Sequence, residues 1–158
     1  MGVLDDKVAI VTGSARGIGR ATAELLSSQG AKVLINDLDA DVAEQTASEI
    51  AGDTVVYGGD LTADGAADEL VKTAIDAFGK IDIIVNNAGY TLDAPIHKMT
   101  DDWWEKMLAI HVTVPFKVIR AAAPARMVVA ARWWHDLADL GVLRLARGMG
   151  ELGRRERT

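Results

Sequence analysis

The 158 residues contain no cysteine and no apolar run as long as a membrane span. The first absence excludes disulfides, thiolate metal sites and a cysteine nucleophile. The second excludes a membrane helix, which needs about 18 consecutive apolar residues. Acidic residues follow directly in the N-terminal MGVLDDKVAI, so we predict no signal peptide. We therefore expect a cytoplasmic protein without a membrane partner.

Basic residues are outnumbered by acidic residues, 17 to 23, which gives a net charge of −6. This balance argues against a general affinity for nucleic acid. The three histidines lack the spacing of metal ligands, so we predict no metal site.

The kind of basic residue changes along the chain. Residues 1–123 hold seven Lys, three Arg and nineteen acids, whereas residues 124–158 hold seven Arg, no Lys and four acids. The net charge is −9 in the first region and +3 in the second. This boundary predicts a folded domain over 1–123 and a divergent Arg-rich tail over 124–158, with a helix over 132–147.

Short apolar runs alternate with helical patterns in the first region. Strands are predicted at 8–12, 32–36, 54–57 and 81–85, with helices at 18–29, from 39 to 51, from 62 to 78 and at 100–123, the last kinked by Pro115. The alternation predicts an α/β fold, namely a three-layer, doubly wound, Rossmann-like parallel sheet. Right-handed crossovers favour the strand order 3-2-1-4.

A glycine-rich segment, TGSARGIG (residues 12–19, here the glycine loop), joins the first strand to the first helix. Glycines there permit a tight turn, close approach of backbone to a phosphate and close packing of the helix. The helix N-terminus then presents free N–H groups to a pyrophosphate. The candidate cofactor-binding residues in the loop are Gly13, Ser14, Arg16, Gly17, Ile18 and Gly19. The alternative is a plain glycine turn.

Asp37 and Leu38 follow the second strand, where an acid accepts hydrogen bonds from ribose hydroxyls. A carboxylate repels a 2′-phosphate, so we predict NAD as the cofactor in preference to NADP. Arg16 argues the other way, because an arginine can pair with that phosphate. The alternative role of Asp37 is a helix N-cap.

Two further motifs complete a pattern. Asp60-Leu61-Thr62 follows the third strand, and Asn86-Asn87-Ala88-Gly89 follows the fourth. With the TGxxxGxG spacing, residues 3–125 resemble the short-chain dehydrogenase/reductase family, most closely its 3-oxoacyl-carrier-protein reductase and hydroxyacyl or hydroxysteroid dehydrogenase branch. The resemblance implies NAD(P)-dependent hydride transfer between alcohols and ketones. It implies adenine contacts for Asp60 and Leu61. In NNAG, whose candidate cofactor-binding residues are Asn87, Ala88 and Gly89, the amides can tie the sheet edge to the glycine loop, and Ala88 and Gly89 let a nicotinamide ribose come close.

The long helix matches a family element with two further implied roles. His111 lies where the family carries an Asn that supports a proton relay, and an imidazole can also hold a relay water. Its alternative is a helix residue with a satisfied hydrogen bond. The resemblance also implies homo-oligomers that pack through helix 100–123.

The catalytic residues that the resemblance implies are missing. The family needs a Ser on the fifth strand and a Tyr-x-x-x-Lys pair on the next helix. Tyr57 and Tyr90 are followed four residues later by Leu61 and Ala94, no Ser occurs after residue 48, and no Lys after residue 117. We therefore expect a chain that is truncated relative to the family and inactive alone.

Three origins of the Arg-rich tail stay open: a frame shift or truncation in the encoding gene, a structured replacement that covers the edge of the fourth strand, and a new active site. The corresponding alternatives for function are a non-catalytic dinucleotide-binding or interaction module and a non-functional truncated product.

Overall fold

The computed structural model describes residues 2–125. Its strands are β1 (Val8–Val11), β2 (Lys32–Asp37), β3 (Thr54–Gly58) and β4 (Ile83–Val85). They form one parallel sheet in the order β3-β2-β1-β4, which confirms the predicted fold class and strand order. The helices are α1 (Gly17–Ser28), α2 (Ala40–Glu49), α3 (Ala66–Phe78) and α4 (Asp101–Leu108), with a 3-10 turn at Ile96–Lys98.

Helices cover both faces of this sheet, because the strands are apolar on both sides. Val11, Val33 and Ile35 pack on one face in a cluster that includes residues of α1 and α2. Ile10 and Leu34 point to the other face and pack in a cluster that includes α3 and the long helix beyond β4. The result is the three-layer arrangement of a doubly wound fold.

The long helix contains a π-helical turn at Ala109–Thr113, between α4 and a helical segment that continues to residue 125. Pro115 explains the position of this turn. Proline has no N–H to donate, and its ring collides with the carbonyl group four residues earlier, which belongs to His111. The predicted disturbance at Pro115 therefore takes the form of a widened turn immediately before it.

By length and composition alone, the helix Asp101–Ala125 meets the test for a membrane span, with a mean hydropathy of 1.2 in its most apolar window. The sequence analysis, which looked for an unbroken apolar run, predicted no such segment. Ile110, Val114, Val118 and Ala122 are buried against the sheet. One side of this helix therefore packs in the core, and 22% of its apolar window is buried.

Asp82 ties the beginning of β4 to the beginning of β1. Its backbone N–H donates to the carbonyl oxygen of Val8 at 2.8 Å, and its Oδ2 accepts from the Val8 N–H at 2.9 Å. Lys7 and Lys80 hold the same carboxylate at 3.7 and 3.1 Å. Asp82 is thus a buried charge with two basic partners.

The predictions for the Arg-rich tail from residue 126 onward lie outside the described residues.

Candidate functional site

The carboxyl ends of the four strands open into a cleft of about 490 Å³. Eight predicted site residues line it: Gly13, Asp37, Leu38, Asp60, Leu61, Asn87, Ala88 and Gly89. Five lining residues were not predicted: Asn36, Gly59, Thr62, Tyr90 and Ile110. The fold therefore brings together at one edge predicted site residues that are as much as 76 positions apart in the sequence, as expected for a ligand site of an open α/β sheet.

Asn87 and Thr12 fix the glycine loop to the end of β4. The side-chain amide of Asn87 donates to the carbonyl oxygens of Thr12 and Gly13 at 3.0 and 2.9 Å. The Thr12 hydroxyl oxygen accepts from the backbone N–H groups of Asn87 and Ala88, each at 3.0 Å. The NNAG motif thus acts as the predicted tie between sheet and loop, and Thr12 is a partner that the sequence analysis missed.

Asn36 and Ser14 hold the other side of the loop. The Ser14 hydroxyl donates to the Val11 carbonyl at 2.7 Å and accepts from the Asn36 N–H at 3.0 Å. The Asn36 side chain donates to the Tyr57 carbonyl at 2.9 Å. Both side chains are buried. The Ser14 hydroxyl is therefore engaged with the backbone of β1 and β2, and Ser14 positions the loop from beneath.

Gly17 and Gly19 have different physical requirements. Gly17 has φ of +57°, and no described atom lies within 4 Å of where its Cβ would stand. A Cβ at Gly19 would overlap the carbonyl oxygen of Gly13 and crowd the Asn87 amide. Gly17 thus keeps the surface of the loop open, whereas Gly19 allows the loop to close on itself. The latter differs from the predicted role of Gly19 in packing helix against sheet.

The N-terminus of α1 can accept an anion. Arg16 occupies the N-cap position without a capping hydrogen bond from its side chain, and no acidic residue lies in the first turn from Gly17. The first N–H groups of a helix need an acceptor and lie at the positive end of its dipole. Together with the open surface at Gly17, this N-terminus fits the pyrophosphate of a dinucleotide. Ile18, also predicted to bind the cofactor, is highly exposed in this turn.

Asp37 and Asp39 divide the tasks at the end of β2. Asp37 Oδ2 accepts from the Ala15 N–H in the glycine loop at 3.2 Å. Asp39 is the N-cap of α2 and accepts from the Val42 N–H at 3.4 Å. The alternative role of Asp37 as the cap of this helix is therefore wrong. Asp39 also forms an ion pair with Arg16, at 3.1 Å.

The third strand ends in a turn that Asp60 stabilises. Asp60 Oδ1 accepts from the Thr62 N–H at 2.8 Å and from its hydroxyl at 2.7 Å. Leu61, which lies between Asp60 and Thr62 in the sequence, is buried and packs in the core on the α3 face. On β3 itself, burial and the nearby Glu69 carboxylate raise the pKa of the Tyr57 phenol above its usual value.

His111 contacts the segment after β4 from the π-helical turn. Its Nε2 lies 2.8 Å from the carbonyl oxygen of Tyr90, and its ring packs against Gly89, 2.6 Å from where a Cβ would stand. The imidazole thus has a hydrogen-bond partner, which is the alternative that the sequence analysis gave for it. His97 is exposed in the 3-10 turn, as expected for a solvated side chain. Among the described residues, no three His, Asp or Glu side chains form a potential metal site.

Comparison with known proteins agrees with this site. The family model described as short chain dehydrogenase matches residues 7–132. A sorbitol dehydrogenase of Cereibacter sphaeroides is 40% identical over 129 residues, covering 82% of this chain and 50% of the relative. A hydroxyacyl-CoA dehydrogenase of Mycobacterium tuberculosis is 38% identical over 143 residues, covering 85% of this chain and 42% of the relative.

Solved structures show the same likeness. A metagenomic short-chain oxidoreductase in complex with NADP has a TM-score of 0.74 and 33% identity, covering 80% of this chain and 59% of that one. A glucose/ribitol dehydrogenase from Brucella melitensis has a TM-score of 0.75 and 29% identity, covering 79% and 54%. The chain thus spans about half the length of the relatives that it matches. Because the family model covers well over half of this chain, the protein belongs to the short-chain dehydrogenase family.

Proposed function

We propose that the chain binds a nicotinamide dinucleotide in the cleft and prefers NAD to NADP. Binding of NAD(P) is a property of the family. The observation that carries the preference for NAD is the position of Asp37, whose carboxylate lines the cleft at the end of β2 and contacts the glycine loop. A carboxylate there can accept hydrogen bonds from both ribose hydroxyls and repels a 2′-phosphate.

We assign the remaining predicted residues along the cleft. The backbone of Gly17 and Ile18 and the dipole of α1 bind the pyrophosphate. Asp60 and Leu61 border the adenine, and Ala88 and Gly89 lie beside the nicotinamide ribose. Gly13, Ser14, Gly19 and Asn87 hold the loop in place, as their hydrogen bonds and close packing indicate, and Gly13 and Asn87 also line the cleft.

We also propose that the chain binds the dinucleotide but does not catalyse turnover of a substrate. A bound nicotinamide supplies the hydride donor or acceptor. Proton transfer to a ketone oxygen needs a positioned acid beside it, and the Ser and Tyr-x-x-x-Lys that would provide it are absent from this sequence. His111 is also assigned a positioning role, because its Nε2 is engaged with the Tyr90 carbonyl. No residue of this chain is therefore assigned to binding the substrate of the family reaction.

The long helix is the proposed surface for self-association. Trp104, Leu108, Val112 and Phe116 recur every four residues and are exposed, and Ile119 follows them on the same side. An apolar stripe of this kind marks a contact surface. Phe116→Glu should shift the protein toward monomer in analytical ultracentrifugation. An unchanged mass would remove this surface from the proposal.

A cytoplasmic location also stays a proposal, to be tested by fractionation of cells that express the full chain.

Dinucleotide binding is tested by fluorescence titration of NADH with wild type and Gly17→Ala. The added Cβ occupies the open surface of the loop, so we expect affinity to fall at least about tenfold. Gly79→Ala is the matched control, because Gly79 also has positive φ and an open surrounding but is the C-cap of α3 and not part of the glycine loop. Both variants should lose about 1 kcal/mol of stability from backbone strain. Equal NADH affinity in all three proteins would contradict the proposal.

Turnover is tested separately, by following NADH consumption with a panel of ketones. We expect no rate above the rate without enzyme. A rate that the Gly17→Ala variant abolishes would show that this chain catalyses hydride transfer without the family's Tyr and Lys, and would overturn the non-catalytic part of the proposal.

A further inference from the structure

Arg16 is the one feature of the glycine loop that argues against a preference for NAD. Arg16 lies in the glycine loop, between Gly13, which lines the cleft, and the N-terminus of α1. Arginine at such a position accommodates the 2′-phosphate of NADP, because its planar donors match phosphate oxygens. The selectivity of the site therefore depends on what Arg16 contacts.

The partner of Arg16 is Asp39. Arg16 Nη2 lies 3.1 Å from Asp39 Oδ2, and the two side chains are 66% and 50% exposed. Asp39 is itself fixed, because its Oδ1 accepts from the Val42 N–H and its own N–H donates to Asp37 Oδ1, both at 3.4 Å. Asp37, Asp39 and Arg16 thus form one connected cluster with two negative charges and one positive charge.

We infer that Asp39 is a positioning residue for dinucleotide selection: it holds Arg16 in an ion pair and so withholds the guanidinium from a 2′-phosphate. This inference rests on the proposed binding of a dinucleotide in the cleft. A 2′-phosphate would have to displace the Asp39 carboxylate and would face the Asp37 carboxylate as well. The ribose of NAD needs only the hydroxyl contacts of Asp37. An exposed ion pair is individually weak, so its effect on selectivity is graded rather than absolute.

Asp39→Ser separates this role from the role of Asp39 as a helix cap. Serine caps a helix as well as aspartate does, so α2 keeps its N-terminus. Its short, uncharged side chain cannot hold Arg16. We expect the Kd for NADPH to fall about fivefold, the upper end of what an exposed ion pair contributes, while the Kd for NADH stays within about twofold.

A double-mutant cycle distinguishes release of Arg16 from the loss of a repelling charge. In the Arg16→Gln background, Asp39→Ser should no longer improve NADPH binding, because no guanidinium is left to release. If the same improvement persists without Arg16, removal of the Asp39 charge alone accounts for it, and the inference is overturned.

Glu49→Gln is the matched control. Glu49 on α2 pairs with Arg20 on α1 at 2.9 Å, and this ion pair, unlike that of Asp39, has no hydrogen bond to Asp37 of the cleft. Its loss should leave the ratio of the NADPH and NADH dissociation constants unchanged. An equal change of the ratio in this variant would assign the effect to general surface charge and overturn the inference.

The inference alone fails if wild type binds NADH and Asp39→Ser gains nothing for NADPH. If wild type binds neither dinucleotide, the proposed function fails, and this inference with it.

Discussion

The side-chain amide of Asn87 donates a hydrogen bond to the carbonyl oxygen of Thr12 at 3.0 Å, across 75 residues of sequence. The same amide reaches the Gly13 carbonyl, so one side chain holds the beginning of the glycine loop beside β4. Sequence motifs at two distant places thus describe a single structural unit. The predictions below test that unit and its neighbours.

Asn87→Ala should destabilise the protein by about 2 kcal/mol, because two partly buried carbonyl groups lose their donor at about 1 kcal/mol each. It should also weaken NADH binding, since the loop loses its tether. Urea denaturation and fluorescence titration measure the two effects. Asn86→Ala is the control, because Asn86 is exposed beside it and should tolerate the change. Equal stability losses in the two variants would contradict the tether.

Gly89→Ala should destabilise wild type by about 1–2 kcal/mol, because the new methyl group collides with the His111 imidazole and displaces it from the Tyr90 carbonyl. In a His111→Ala background the same change should cost much less, since the ring is absent. The difference is read from denaturation curves of the four proteins in the cycle. Additive losses would mean that Gly89 and His111 act independently.

Asp82→Ala should cost about 2–3 kcal/mol, because the buried Val8 N–H loses its side-chain acceptor. Asp53→Ala provides the comparison. Asp53 pairs with Lys32 at 3.4 Å but is 69% exposed, so its removal should cost less than about 0.5 kcal/mol. Thermal or urea unfolding measures both. A loss at Asp82 no larger than at Asp53 would show that its carboxylate carries no structural role.

Tyr57 should titrate above its usual pKa of 10.0, first because it is buried and second because Glu69 is close. The fold therefore favours the neutral phenol. Its contribution to stability is fully present below the pKa of the unfolded chain and is lost as the pH rises through the pKa of the folded chain. Tyrosinate absorbance in a Tyr90→Phe variant reports Tyr57 alone. Glu69→Gln should bring the pKa of Tyr57 part of the way back toward its usual value. A titration at the usual value in the Tyr90→Phe variant would contradict the prediction.

Much of the fold was predictable, because apolar runs and glycine stops mark each strand and helix of a parallel sheet. The strand order followed from the glycine loop after β1. The contacts of Thr12, Asn36 and Asp82 were not predictable in detail. Each is a polar residue at the end of, or inside, an apolar strand segment, and that pattern is a usable signal for a buried hydrogen bond. Its partner depends on strand pairing, which the local sequence does not contain.

The division of work between Asp37 and Asp39 was predicted only in part, because Asp37 was expected at the ribose with a helix N-cap as its alternative role. Both acids precede α2, and both can cap a helix. The last residues of β2 extend one position further than predicted, to Asp37. This places Asp37 in the sheet beside the glycine loop and leaves Asp39 to begin the helix. A shift of one residue in the strand end therefore decides which carboxylate faces the cleft.

The ties between Asn87 and the glycine loop have a consequence for the order of folding. The loop is synthesised before β4, and its carbonyl groups at Thr12 and Gly13 have their donor 75 and 74 residues downstream. Contacts this distant form late, because a long chain segment must first close. The loop thus reaches its hydrogen-bonded geometry only after Asn87 has docked beside it. In a refolding experiment, the time course of recovered dinucleotide binding would then report when β4 docks against β1.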